Sequence, residues 1–180
     1  MIDYGLRIGN KVEVHVVPKT PSSTGDLVQS PFVVVDNSIP SVGQFDFIEN
    51  VFTTINDITL NWVFSDFEVQ LLSDVDETFQ EDKSMVKWYR KTGTGGSFDL
   101  VYTFNDFDNN FLETFHESSY QGKITTSLPN ANSGLSPNSI VDKSLLAEGQ
   151  EWYAIITPFD TIDQGVPVSS STVTITSAVN

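Results

Sequence analysis

Residues 9–37, GNKVEVHVVPKTPSSTGDLVQSPFVVVDN, align without a gap on residues 149–177, GQEWYAIITPFDTIDQGVPVSSSTVTITS, at an offset of 140. Gly9 and Gly149, Pro18 and Pro158, Gly25 and Gly165, Val28 and Val168, Ser30 and Ser170, and Val33 and Val173 coincide. Each copy runs from an alternating apolar segment through a loop opened by proline and closed by glycine to a short β-branched segment. That is the pattern of two strands around a connection of fixed length. One structural element is therefore used twice, which makes the chain modular. Residues 1–40 are expected to hold the terminal hairpin of one module and a linker, and residues 41–180 a second module.

Working outward, the rest of the chain also reads as strands. Val12, Val14 and Val16 alternate with Glu13 and His15, and Phe32 to Val35 is the natural partner of that run. Asp36 to Ser41 reads as a linker, because Pro40 has no N–H for a central ladder. Strands are then predicted at 58–64, 85–91, 98–104, 123–128, 144–146, 152–157 and 171–176, with glycine and asparagine punctuating them. Gly93-Thr94-Gly95-Gly96 is a hairpin turn rather than a phosphate loop, since no helix follows it. Many short strands with no helical period predict an all-β antiparallel sandwich. Its expected core residues are Trp62, Trp88, Tyr89 and Trp152, aromatics placed on strands that cross the middle.

Several short motifs stand in order along the second module. They are Thr59-Leu60-Asn61-Trp62-Val63-Phe64-Ser65-Asp66, Trp88-Tyr89, the stretch from Leu146 to Pro158, Gly165-Val166-Pro167-Val168-Ser169-Ser170, and Val173-Thr174-Ile175. Together they resemble the immunoglobulin-like repeats of archaeal and bacterial cell-surface proteins. The resemblance covers about 45–180 as one module and about 6–38 as the last two strands of a preceding one. It implies an immunoglobulin-like β-sandwich placed outside the cell or at its surface, in a surface layer, adhesin or filament. The chain departs from the repeat by insertions at about 68–84 and 105–122.

Composition narrows the partners. A net charge of -15 with only 9 Lys and Arg argues against nucleic acid and anionic lipid. No run of eighteen apolar residues and no basic leader followed by an apolar stretch is present, so neither membrane insertion nor a signal peptide is expected in the chain as given. With no cysteine there is neither a disulfide framework nor a thiolate ligand or nucleophile.

The acidic stretch from Asp66 to Asp82 is the leading place for a metal. Asp66, Glu68, Asp74 and Asp76 supply the hard oxygens that Ca²⁺ takes, and Asp106 and Asp108 form a second group of the same kind. The spacing is not that of an EF-hand, and a solvated acidic loop is the plainer reading. No cofactor is required. The insertion aromatics Phe98, Tyr102, Phe104, Phe107, Phe111, Phe115 and Tyr120 are expected to pack rather than to line a ligand site. His15 and His116 are the only histidines, and no Gly-x-Ser-x-Gly elbow or selected carboxylate pair accompanies them, so no enzyme is expected.

In the first copy, Val12, Val14, Val16, Phe32, Val33 and Val35 are expected to form an interface, because a lone two-stranded hairpin is marginal in water. Self-association or contact with neighbouring modules of the same protein would cover them. The expected function is a structural module of a surface layer, stalk or filament, joined head to tail by strand complementation. A calcium-dependent adhesin or carbohydrate-binding module is the alternative.

Overall fold

The computed structural model describes residues 9–47, 53–65, 82–106, 111–129 and 135–177, in two compact units, Met1–Asn37 and Ser38–Asn180. The first unit is a ribbon of short strands, β1 (Lys11–Val12), β2 (His15–Val16), β3 (Val28–Gln29) and β4 (Val33–Val34). β1 pairs with β4 and β2 with β3, both antiparallel, so the ribbon is a single hairpin with an interrupted ladder.

The second unit is a two-sheet sandwich. One sheet has the order β10 (Ile124–Ser127), β11 (Asn138–Val141), β6 (Ile58–Ser65), β5 (Ser41–Phe47). The other runs β13 (Val168–Ser169), β12 (Glu151–Thr157), β7 (Met85–Lys91), β8 (Asp99–Asn105), β9 (Leu112–Phe115), with β14 (Val173–Thr174) also on β12. All these ladders are antiparallel, and Thr53 makes an isolated parallel bridge to Thr176. In immunoglobulin lettering the first sheet is D-E-B-A and the second G-F-C-C′-C″, the nine-strand variable-type arrangement.

Period-two alternation builds the core. Ile58, Leu60 and Trp62 of β6 point inward, as do Val86 and Trp88 of β7 and Trp152, Ala154 and Ile156 of β12, each at most 1% exposed. The Trp88 ring lies between Phe47 at 6.3 Å and Trp152 at 6.5 Å. Its indole Nε1 donates across the sandwich to Ser139 Oγ on β11 at 2.8 Å, and Ser139 donates to the Thr125 carbonyl at 3.0 Å. A fully buried N–H is thereby satisfied, and the two sheets are tied without a disulfide.

Four sequence expectations change. Tyr89 is not in the core: alternation turns it outward, half-buried, where it stacks on Tyr153 with centroids 4.8 Å apart. The strand expected at 144–146 is a one-turn 3-10 helix, Lys143–Leu145, whose start is capped by Asp142 accepting from the Ser144 N–H at 2.7 Å; the strand lies earlier, at β11. The insertion at 105–122 supplies β9, which extends the sheet, so much of it is architecture. The linker ends sooner than expected, since Pro40 is buried and Ser41 opens β5. Among the described residues no helix is long and apolar enough to cross a membrane.

Candidate functional site

The hairpin that closes the sandwich defines the geometry. β12 pairs with β14 at Glu151↔Thr174 and Trp152↔Val173, and with β13 at Ile155↔Ser169 and Ile156↔Val168. The first unit has the same register 140 residues earlier: Lys11↔Val34, Val12↔Val33, His15↔Gln29 and Val16↔Val28. The loop bridge Phe159↔Gln164 recurs as Lys19↔Thr24. Gly149 at φ 82° recurs as Gly9 at φ 81°, a left-handed position that glycine takes without cost.

Hydrogen bonds repeat atom for atom. Gly165 N–H donates to Pro158 O at 2.8 Å and Gly25 N–H to Pro18 O at 2.7 Å. Ser170 N–H donates to Ala154 O at 2.9 Å, and Ser30 N–H to Val14 O at 3.0 Å. The serine hydroxyl accepts from the same partner, Ala154 N–H in one copy and Val14 N–H in the other, at 2.9 Å in both. The loop is closed alike: Asp160 Oδ1 accepts from Asp163 N–H at 2.6 Å, and Thr20 Oγ1 from Ser23 N–H at 3.1 Å. Residue identity gave no sign of this cap, because Thr20 and Asp160 differ; their shared ability to accept from a residue three on was the available signal.

What differs is the cover. In the closing hairpin Trp152, Ala154, Ile156, Val173 and Ile175 are buried, and β7 zips the outer edge of β12 from Glu151↔Lys91 to Thr157↔Met85. Their counterparts in the first unit are Val12, Val14, Val16, Val33 and Val35. The first four are 38%, 59%, 54% and 70% exposed, and Val35 is half-buried. β1 and β2 are separate because pairing on the hairpin side alone reaches only the first and fifth steps of the run; in β12 the β7 ladder bridges the gap. The opposite side of the ribbon carries a polar group: His15 Nε2 lies 2.6 Å from Glu13 Oε1 and 3.0 Å from Gln29 Nε2. Phe32, expected with the valines, sits on that other side under the Lys11 ammonium, 4.5 Å from its ring centre.

The sequence-predicted metal residues fare differently. Asp66, Glu68, Asp74, Asp76 and Asp108 lie outside the described residues. Asp106 accepts from Lys83 Nζ at 2.9 Å, and Lys83 N–H donates to Phe159 O at 2.9 Å, so one lysine ties the start of β7 to the ends of two loops. Among the described residues no three His, Cys, Asp or Glu side chains come together as a metal ion would need. Next to Lys83, burial pushes the Asp82 carboxyl up from 3.8 to about 6, against the pull of Ser84, whose N–H donates to Oδ1 at 2.9 Å.

The aromatics mostly pack. Trp62, Trp88, Trp152, Tyr102, Phe104 and Tyr120 are buried, and Phe115 lies against the core. Phe111 is exposed with its ring edge-on to Phe104 at 5.4 Å, while Phe107 lies outside the described residues. On the outer sheet face Phe98 meets Tyr153 edge-on at 4.8 Å, and Lys91 caps the group while paired with Glu151 at 2.8 Å. This aromatic group continues the Tyr89–Tyr153 stack; Tyr89, expected in the core with Trp88, faces outward because neighbouring strand residues point to opposite faces.

No family model matches the chain, and no curated protein matches it. A solved structure of murine CRIg aligns with 9% identity and a TM-score of 0.42, over 79% of this chain and 100% of that one. The immunoglobulin-like assignment rests on the strand order and register of the second unit.

Proposed function

We propose that this chain is a non-catalytic structural module of an extracellular surface layer, stalk or filament, built in series with other immunoglobulin-like modules. The observation that carries the reading is the hairpin made twice, once packed against a sandwich and once with the matching valines exposed. An element that completes one module and is repeated bare suits a chain of modules better than an isolated binding protein. The acid-rich composition, -15 with few bases, suits a surface that stays hydrated and resists unspecific association. The resemblance of the second module to surface repeats of archaea and bacteria points the same way.

Immunogold labelling of intact source cells with antibody to the purified chain tests the proposal. Label along the envelope or on projecting filaments is expected. Label confined to the cell interior, with a clean envelope, would overturn it.

A further inference from the structure

We infer that the Gly9–Val35 hairpin is the closing strand pair of another immunoglobulin-like sandwich, and that its partner is an incomplete one, lacking its last two strands and offering a strand like β7 at the open edge. This rests on the modular reading above and names the partner that reading needs.

What covers the second copy identifies what fits the first. There the inward residues of β12 meet a core in which Trp88 stands 6.5 Å from Trp152, and the strand edge is taken by seven residues of β7. Ala154 turns both its N–H and its carbonyl toward Ser170, so by alternation its neighbours Tyr153 and Ile155 face β7. Their counterparts Glu13 and His15 therefore present backbone donors and acceptors at an open edge, beside an apolar face made of Val12, Val14, Val16 and Val33. An incomplete sandwich satisfies edge and face together, as strand addition does elsewhere. A second copy laid face to face would cover the valines and leave both edges open. Val12 stands where Trp152 stands, so the natural partner fills that volume from its own side.

The test dilutes a probe polypeptide of residues 38–147, this chain's own sandwich without β12 to β14, out of urea into the native, never-unfolded full chain. The full chain's own sandwich is already closed, so only its first hairpin is free to complete the probe. A 1:1 complex on size exclusion is expected, with Glu13 and His15 amides gaining protection from hydrogen exchange. Val12→Trp supplies the indole that this acceptor is built around and is expected to tighten the complex at least tenfold. Val14→Asp with Val16→Asp is expected to abolish it while the chain's tryptophan-monitored melt stays unchanged.

Absence of a complex with both the native chain and Val12→Trp overturns the inference. So does a dimer of the full chain alone that the double aspartate variant dissolves, which would make a second copy the occupant. Should the probe precipitate, the same question is put within one chain, by replacing residues 149–177 with residues 9–37 carrying Val12→Trp. A cooperative fluorescence melt of that graft supports the inference, and a non-cooperative one overturns it. None of these failures touches the envelope labelling, which tests the modular reading separately.

Discussion

Ile156 and Val16 occupy the same place in the two copies of the hairpin, one fully buried and the other 54% exposed, and the chain contains no cysteine. A single thiol placed at either position is therefore the only reactive sulfur, and its rate of reaction with a disulfide reagent reads its cover directly. Ile156→Cys reacts only through opening of the sandwich. If the unit has the ordinary stability of about 5–15 kcal/mol and the substitution costs about 1–3 kcal/mol as a partial core truncation, at least about 2 kcal/mol of protection remains. At 1.4 kcal/mol per factor of ten, that slows labelling by more than an order of magnitude. Val16→Cys needs no opening and reacts at the rate of a free thiol. The measurement is the absorbance released at pH 8 by each variant, native and in urea, where both must react equally fast. Equal slow rates in the native chain would show Val16 covered within the chain and refute the bare-face argument. Equal fast rates would show that β12 is not packed as described.

Three further outcomes follow from single contacts. A Cβ on Gly165 would stand 1.9 Å from the Pro40 carbonyl oxygen and 2.8 Å from Pro158 Cγ, so Gly165→Ala lowers sandwich stability by about 1–3 kcal/mol, whereas Gly25→Ala, meeting Pro18 Cγ at 2.8 Å, leaves the tryptophan-monitored urea midpoint unchanged. Ser139→Ala strips the buried Trp88 N–H of its acceptor and costs about 1–3 kcal/mol by urea denaturation. Asp82 has a folded pKa of about 6 against an ordinary 3.8, so the folded state holds the proton more tightly. Its burial costs nothing below pH 4, costs progressively more from pH 4 to 6, and reaches about 3 kcal/mol above that. Asp82→Asn should thus be more stable than the native chain at pH 7.5 and equal to it near pH 3.5, and an unchanged difference across that range would refute the assignment.

The strands that could be read from sequence are those where alternation puts large apolar groups on one face. β7 falls on its predicted span, and β6, β8 and β12 fall within a residue of theirs, because Trp62, Trp88 and Ile156 repay inward placement and their neighbours do not. β11 escaped because its inward residues are Ser139 and Val141, set after a run of asparagine, serine and glycine that reads as turn. A serine is tolerated at that inward position because Trp88, 51 positions away, finds its acceptor there. That is a tertiary demand invisible to local pattern. β9 escaped for a related reason: Leu112 and Glu113 are exposed, so the strand is specified by its ladder to β8 rather than by an alternating core face.

The candidate surface was legible to a different degree, because repetition supplied a control. Composition alone would read VEVHVV as an ordinary half-buried strand and assign its valines to a core. Aligning it on WYAIIT, which is packed, shows what cover the first copy requires, and the structure shows those valines exposed. The comparison also decides which side matters: Phe32 is the largest apolar residue of the first unit, yet it faces with Lys11, away from the valines. Size would have chosen Phe32 as the anchor, whereas register chooses Val12, Val14, Val16 and Val33. Register is the better guide because a strand pair that completes a sandwich is recognised by its backbone edge and by the one face that edge presents.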